Sequence, residues 1–312
     1  MTYHLGELAV QRKAGVQDEA KALGKIVSSR LKPAALDFLR NQRLAIASTV
    51  DSKGRVWASL LTGEPGFVQM VEEQVVRIDT AQVSGDPLNE NLLVQDEIGI
   101  LVIDIATRRR LRLNGTVQVQ RDRSLYVQTK QVYFNCPKYI QLRHLDTHIT
   151  KSNNLQSVQH SDILTEEQQH WITQTDTFFI ASFRPESGAD ASHRGGNPGF
   201  IRVLNESKLV FPDYSGNNMF NTLGNLAVNP LSGLLFIDFE RGRTLQVTGT
   251  AHIVWDTESV AEFAGAERLV EFQIDQVIAI ADACPLRWRF VEYSPFNPNS
   301  IQNRYIHPSP SL

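Results

Sequence analysis

Short apolar runs separated by turn residues dominate the chain and predict a mainly β protein. Residues 44–50 form one such run, and the turn signal Asp51-Ser52-Lys53-Gly54 follows it. Residues 98–105 form a second run that is apolar except for Asp104. The segments 111–117 and 245–251 alternate apolar and polar residues with a period of two, which is typical of strands with one buried face. Six or so strands joined by tight turns predict a barrel.

A few segments carry helical signals instead. Residues 33–41 begin with proline, which favours a helix start, and lead into the first strand. Thr165 and Gln168 have the spacing of a capping box, so a helix is predicted to begin there. A third apolar-periodic segment, 219–228, ends before Pro230.

The chain also contains an internal repeat. Residues 58–67 match residues 191–200 at an offset of 133, and Gly115 matches Gly249 at an offset of 134. The pair Cys136-Pro137 matches Cys284-Pro285 at 148, so the second copy carries an insertion of about 14 residues. We therefore predict two tandem copies of a mainly β barrel with short flanking helices. Its parts are an N-terminal helical or irregular extension (1–34), a first repeat (35–150) and a second repeat (151–312), with a polar linker at 150–160.

One region of the second copy has the composition of an anion site. The loop 214–221 contains Asn217 and Asn218, follows a strand and turn, and leads into the helix predicted at 219–228. Free backbone N–H groups at a helix start bind anions, although a well-capped helix gives the same pattern. Arg202 lies in an otherwise apolar strand, where a charged side chain either reaches solvent or meets an anion.

The two copies differ at the matching positions. The second copy has His193 and Arg194 where the first has Leu60 and Leu61, and Arg202 where the first has Gln69. The first copy also carries Asp86, which would repel a phosphate. The sequence therefore predicts one phosphate-competent site, in the second copy.

Several of these motifs occur in one order that resembles the pyridoxamine 5'-phosphate oxidase-like family. The motifs are 200–204, 209–213, 216–218, 229–230, 233–238 and 245–251. Residues 189–196 and 135–141 resemble the branch known as flavin-nucleotide-binding proteins. The resemblance covers residues 35 to about 295. It implies an FMN-binding split barrel in which one barrel grips the phosphate and a partner barrel closes over the flavin ring.

The resemblance also implies roles for particular residues. Arg202 would contact the phosphate, and Ile201 and Val203 would offer backbone groups to the ring. Thr244 stands near the position of a glutamine that lies against the ring. Asn217 and Asn218 replace the basic residues of the family, so the missing charge is assigned to Arg194 or His193, with Ser192 as a neutral donor. From the first copy, Asn135, Lys138 and Tyr139 would reach the groove, although Lys138 and Tyr139 also fit a plain helix start.

Composition and charge narrow the remaining possibilities. The net charge of −3 indicates neither a nucleic-acid nor a membrane partner. Its one dense basic run, Arg108-Arg109-Arg110, is predicted to be a solvated hairpin. Two cysteines, no apolar leader and no metal-binding motif predict a cytoplasmic protein without a metal.

The predicted function is that of an FMN-binding flavoprotein, an oxidoreductase acting on a small molecule, with homodimer formation possible. No catalytic residue is assigned, since the sequence shows no triad and no paired catalytic carboxylates. The alternatives are a non-catalytic flavin-binding or scaffold protein, or a barrel that binds deazaflavin or haem, for which His193 is the only candidate axial ligand.

Overall fold

A computed structural model describes residues 3–80, 83–121, 124–146, 157–185, 187–216 and 218–299. The described helices are short, and none is long and apolar enough to cross a membrane. They are α1 (Leu5–Ala14), α2 (Gln17–Leu23), α3 (Pro33–Leu39), α4 (Leu88–Val94), α5 (Glu166–Gln174), α6 (Asn221–Leu226) and α7 (Thr257–Ala261), with a 3₁₀ turn at Gly24–Ile26.

The first half of the chain forms a seven-stranded antiparallel sheet with the order β2-β1-β5-β6-β7-β4-β3. Its strands are β1 (Leu44–Val50), β2 (Val56–Thr62), β3 (Val68–Glu72), β4 (Val75–Asp79), β5 (Glu97–Asp104), β6 (Arg109–Arg121) and β7 (Ser124–Phe134). The apolar runs predicted as strands are confirmed as strands, and every residue of β1 and β2 is buried.

The second half repeats this sheet with the order β11-β10-β14-β15-β16-β13-β12. Strand β9 pairs with β16, and β8 and β17 form a separate two-stranded sheet. The strands are β8 (Leu142–Leu145), β9 (Val158–Ser161), β10 (Thr177–Arg184), β11 (Gly188–Gly195), β12 (Arg202–Asn205), β13 (Lys208–Tyr214), β14 (Leu231–Ile237), β15 (Thr244–Val254), β16 (Ala266–Ile280) and β17 (Trp288–Glu292).

The two sheets agree in register as well as in order. Ile98 pairs with Gly115 in the first sheet, and Ser232 pairs with Gly249 in the second, so both partners are shifted by 134. Ser59 and Ser192 likewise occupy matching positions in β2 and β11, shifted by 133. The prediction of a mainly β, split-barrel fold with a few short helices is confirmed.

Three local predictions need correction. Part of the predicted linker is strand β9, because residues 158–161 hydrogen-bond to β16. Pro212 and Asp213 continue β13 instead of forming a turn, since they pair with Leu269 and Arg268. The predicted helix at 219–228 is confined to the six residues of α6, and Phe220, with φ of 60°, precedes it in the left-handed region.

The two halves pack face to face through a shared core. Ile46 and Leu101 of the first half are buried in one cluster with Phe179 and Leu235 of the second. Two equivalent glycines permit the close approach. A Cβ on Gly99 would lie 2.5 Å from the carbonyl oxygen of Ala189, and a Cβ on Gly233 would lie 2.5 Å from that of Val56. The halves are therefore related by an approximate twofold arrangement, and equivalent grooves are expected on its two sides.

Candidate functional site

The site lies in a cleft between the two halves, which we call the cationic cleft. The first half contributes Arg110 and Arg112 from β6 and the segment 135–139 after β7. The second half contributes residues 192–195 of β11, the end of β13 and the start of α6. The enclosed volume of about 100 Å³ is below the roughly 300–1,000 Å³ of typical ligand pockets. It therefore suits a phosphate-sized group more than a whole nucleotide.

Arg112 holds the two halves together beneath the cleft. It is 4 % exposed, and its Nε lies 2.8 Å from Oδ1 of Asp190. It also donates to the carbonyl oxygen of Ala191 at 3.2 Å, to Oγ of Ser192, and to Oδ1 of Asn221 at 2.9 Å. Because protein acceptors surround this guanidinium, we assign it a structural role.

Arg110 is the cation that lacks such partners. It projects from the same face of β6, two residues before Arg112, and among the described residues no carboxylate lies within ion-pair distance of it. Its Nη1 donates to Nδ1 of His193 at 2.9 Å, and its Nε is buried without a hydrogen-bond partner in the described structure. Burial, followed by repulsion from Arg112, lowers the pKa of Arg110 to about 9, so it is still protonated at neutral pH.

His193 is neutral in this arrangement. An arginine only donates hydrogen bonds, so Nδ1 of His193 accepts and the ring proton is on Nε2. That Nε2 is buried, and no described group accepts its proton. Burial, then the charges of Arg110, Arg194 and Arg143, holds the pKa of His193 well below its usual value. The ring thus offers a neutral N–H donor and is not a proton reservoir near pH 7.

The remaining charges of the cleft also favour an anion. Arg194 lies 3.0 Å from Oδ1 of Asp213, and Arg268 lies 3.3 Å from Oδ2 of the same carboxylate. The Nε atom of Arg194 is buried without a described hydrogen-bond partner. Glu267 also pairs with Arg268, so the excess positive charge of the cleft comes from Arg110, whose N–H donors are not all used in the described structure.

Aromatic side chains border the opening of the cleft. Tyr139 of the first half and Tyr214 of the second lie with ring centroids 5.2 Å apart. The hydroxyl of Tyr139 donates to the carbonyl oxygen of Ser215 at 2.8 Å, so it bridges the two halves. Lys138 lines the cleft, with its Nζ 5.7 Å from the ring centroid of Phe296. These flat apolar surfaces lie next to the cationic interior.

The structure gathers part of the predicted site. Lys138, Ser192, His193, Arg194 and Asn218 line the cleft, as do Asn135 and Tyr139. Asn217 lies outside the described residues. Ile201, Val203, Arg202 and Thr244 do not line the cleft: Ile201 and Val203 pack in or against the core of the second half, and Thr244 is buried in β15.

The surroundings of Arg202 do not favour the phosphate role predicted for it, which stays a prediction. Its Nη1 donates to Oε2 of Glu262 at 2.6 Å, and its guanidinium carbon lies 3.8 Å from the centroid of the Phe263 ring. Its side chain is 42 % exposed. Of the two expectations for a charged side chain in this strand, solvent or an anion, Arg202 meets the first: it reaches solvent and stacks on an aromatic ring. The six-residue α6 likewise makes no separate helix-terminus anion site.

Arg110 and Arg112 are the site residues that sequence reasoning missed. The run 108–110 was expected to be a solvated hairpin, but only Arg109 is exposed; Arg108 donates to the carbonyl oxygen of Ile140, and Arg110 enters the cleft. A signal was present in the sequence. Arg110 and Arg112 lie on one face of an alternating strand, and their equivalents in the second copy, Thr244 and Gln246, are neutral.

Within the described residues, no group of three or more histidine, cysteine, aspartate or glutamate side chains could hold a metal ion.

No curated protein sequence matches the chain. Solved structures that resemble it have low TM-scores. A FAD-binding protein from Mycobacterium smegmatis is 17 % identical and covers 38 % of this chain and 96 % of its own, with a TM-score of 0.28. A FAD-binding protein from Mesorhizobium loti is 12 % identical and covers 39 % and 96 %, with a TM-score of 0.29.

A protein of the pyridoxinephosphate oxidase family from Clostridium acetobutylicum, related to general stress protein 26, is 11 % identical. It covers 40 % of this chain and 92 % of its own, with a TM-score of 0.30. The family model of pyridoxamine 5'-phosphate oxidase matches residues 164–282, from the residue before the capping box of α5 to two residues past the end of β16. Over these residues, the second half of the chain is similar to the pyridoxamine 5'-phosphate oxidase family.

Proposed function

We propose that the cationic cleft binds the phosphate of flavin mononucleotide and that the protein is a flavin-dependent oxidoreductase acting on a small molecule. The observation that supports this most is Arg110, a half-buried cation whose Nε is buried and which has no carboxylate beside it in the described structure. An isolated buried charge is costly, and a bound anion removes that cost. The family match over residues 164–282 favours a flavin as the carrier of that anion.

The donors of the cleft fit a phosphate. Arg110 and Arg194 each have a buried Nε without a described hydrogen-bond partner, and His193 has a free Nε2–H. Arginine suits a phosphate because its planar N–H groups match the phosphate oxygens. We assign the phosphate to these three residues, and Arg194 and His193 thereby provide the charge and donor missing at Asn218. The small enclosed volume leaves the flavin ring toward the opening, near Tyr139 and Tyr214.

A bound flavin would itself supply the hydride- or electron-transfer chemistry. The protein residues then have only to bind, orient and partly shield it. This division agrees with the protonation of the cleft, in which burial and the neighbouring arginines hold the pKa of His193 low and keep its ring neutral near pH 7. No described side chain of the cleft is arranged as a general acid or base near pH 7.

The lack of a general acid or base among the described side chains of the cleft also favours a second candidate, a flavin-binding protein without catalytic activity. The two candidates differ in turnover and not in binding. The test is an absorption spectrum of the purified protein before and after FMN is added and the excess removed, followed by anaerobic reduction with a nicotinamide. Retained flavin that is reduced faster than free FMN supports the oxidoreductase. Retained flavin that reacts no faster supports the non-catalytic protein, and no retained flavin overturns the proposal.

A further inference from the structure

We propose that the N-terminal helix α1 is coupled to the cationic cleft through α6 and the loop before it, and that Glu7 and Gln11 are positioning residues for the ligand. The inference rests on the proposed function, since it concerns the same cleft. Helix α1 lies outside both sheets and outside the part matched by the family model. It nevertheless packs against α6, whose first residues line the cleft.

Backbone contact between α1 and α6 is unusually close. A Cβ on Gly6 would lie 2.1 Å from the carbonyl oxygen of Gly224, and a Cβ on Gly224 would lie 2.7 Å from Cα of Glu7. Only glycine fits at either position with this spacing. A displacement of α1 is therefore transmitted directly to α6, because at these glycines no side chain separates the two backbones and could absorb the shift.

A continuous chain of hydrogen bonds runs from α1 to the cleft. Oε1 of Glu7 accepts from Nδ2 of Asn221 at 2.7 Å, and Oε2 accepts from the backbone N–H of His4 at 2.8 Å. At its other end, Asn221 accepts from Nη1 of Arg112 and from the hydroxyl of Tyr133, both at 2.9 Å. Glu7 is 4 % exposed. This carboxylate thus fixes the amide that lies against Arg112 in the cleft.

A second, independent contact reaches the loop before α6. The side-chain Nε2 of Gln11 donates to the carbonyl oxygen of Met219 at 3.1 Å, and Met219 is buried in a cluster with Tyr3 and Ala20. The neighbours of Met219, Asn218 and Phe220, both line the cleft and have φ angles of 57° and 60°. Such conformations persist where the surroundings hold them, so the N-terminal segment stabilises the cleft-bearing form of this loop.

Linkage makes this coupling reciprocal: if a docked α1 favours ligand binding, a bound ligand favours docking of α1. Ionisation of Glu7 opposes both. Burial is the main cause that raises the pKa of Glu7 to about 7, so the docked helix is most stable when Glu7 is protonated and loses stability as the pH rises through 7. The His4 ring lies 3.6 Å from Oε2 of Glu7, and the other groups that face these two residues are Tyr3, Arg112, Tyr133, Arg184, Asp190, Asn221 and Asn225.

The test compares Glu7→Ala, Glu7→Gln, Gln11→Ala and the wild-type protein by FMN fluorescence titration, after circular dichroism confirms folding. Glu19→Ala, at an exposed position of α2, is the matched control. We expect about tenfold weaker binding for Glu7→Ala, several-fold for Gln11→Ala, and recovery in Glu7→Gln, which keeps an acceptor for Asn221. Relative to Glu7→Gln, wild-type affinity should fall between pH 6 and 8. Bound FMN should also slow amide exchange in residues 5–14.

Equal affinities for the wild type, Glu7→Ala and Gln11→Ala would overturn the coupling while leaving flavin binding intact. If the wild-type protein retains no FMN, the proposed function fails, and the comparison is made by calorimetry with inorganic phosphate. A phosphate affinity that depends on Glu7 would then support the coupling. A phosphate affinity that is independent of Glu7, or a wild type that binds no phosphate, would overturn it.

Discussion

The two sides of the duplicated fold keep the same hydrogen-bond geometry but carry opposite chemistry. In the cationic cleft, Arg112 donates to the carbonyl oxygen of Ala191 and to Oγ of Ser192. On the other side of the twofold arrangement, Gln246 is the equivalent of Arg112. It donates to the carbonyl oxygen of Ala58 at 2.9 Å and to Oγ of Ser59 at 3.4 Å. Duplication thus preserved the contact that joins the halves and changed its charge.

The difference extends to the rest of the mirrored position, which we define by Leu60, Leu61, Asp86, Thr244 and Gln246. Leucines stand where the cleft has His193 and Arg194, and Thr244 stands where it has Arg110. Gln246 also donates to Oδ2 of Asp86 at 3.0 Å. An anion is attracted on one side and repelled on the other, so we expect one functional cleft per chain.

The largest effect should come from cutting the two equivalent contacts between the halves. Arg112→Ala leaves Asp190, which is 2 % exposed, without its cation, and we expect a loss of about 3–5 kcal/mol in the free energy of unfolding. Gln246→Ala removes neutral hydrogen bonds and should cost about 1–2 kcal/mol. Urea unfolding measures the free energy of unfolding of both variants. Equal losses would contradict the claim that a buried ion pair joins the halves on one side and neutral hydrogen bonds join them on the other.

A smaller but more specific effect is expected for ligand binding. Arg110→Ala should raise the FMN dissociation constant about 10- to 150-fold, which corresponds to about 1.5–3 kcal/mol for a hydrogen bond to a charged group. The matched control is Thr244→Val at the mirrored position, which should change it less than about twofold. Fluorescence titration measures both. A normal affinity in Arg110→Ala would remove this residue from the phosphate site.

The mirrored position should also show its own pH dependence. Burial raises the pKa of Asp86 to about 6, despite hydrogen bonds from Ser59, Leu88 and Gln246. Protonated Asp86 therefore stabilises the fold below about pH 4, and this contribution is lost as the pH rises through 6. Compared with Asp86→Asn, the wild type should lose roughly 1–2 kcal/mol between pH 4.5 and 7.5 in urea unfolding. If the difference in the free energy of unfolding between the two proteins stays constant with pH, burial does not raise the pKa of Asp86.

The smallest effect is expected at Arg202. Its guanidinium pairs with Glu262 at the surface, where such pairs contribute about 0–1 kcal/mol. Arg202→Ala should therefore leave the FMN dissociation constant within about twofold of the wild-type value, as should Gln69→Ala at the matching position. A large loss of affinity in Arg202→Ala would restore the role that the sequence pattern assigned to it.

The sequence predicted most of the fold because its signals are local. Alternation in 111–117 and 245–251 marks two strands, and the capping box at Thr165 marks the start of α5. The part of the site that the sequence predicted came from differences between the copies, as at His193 and Arg194, and from the family resemblance, as at Ser192 and Lys138. The direction of Arg202 depends on its contacts with Glu262 and Phe263, about 60 residues further along the chain, and the entry of Arg110 depends on how the halves pack. No local pattern records either. The contact of Glu7 with Asn221 joins residues 214 positions apart and was equally invisible.

The central claim is that one side of the twofold arrangement binds an anion and the other does not. The most direct measurement is the number of FMN molecules bound per chain, from an equilibrium titration at protein concentrations well above the dissociation constant. The asymmetry of charge predicts one per chain in the wild-type protein, and strongly weakened binding in Arg110→Ala. Two equivalent sites per chain, or none, would contradict it.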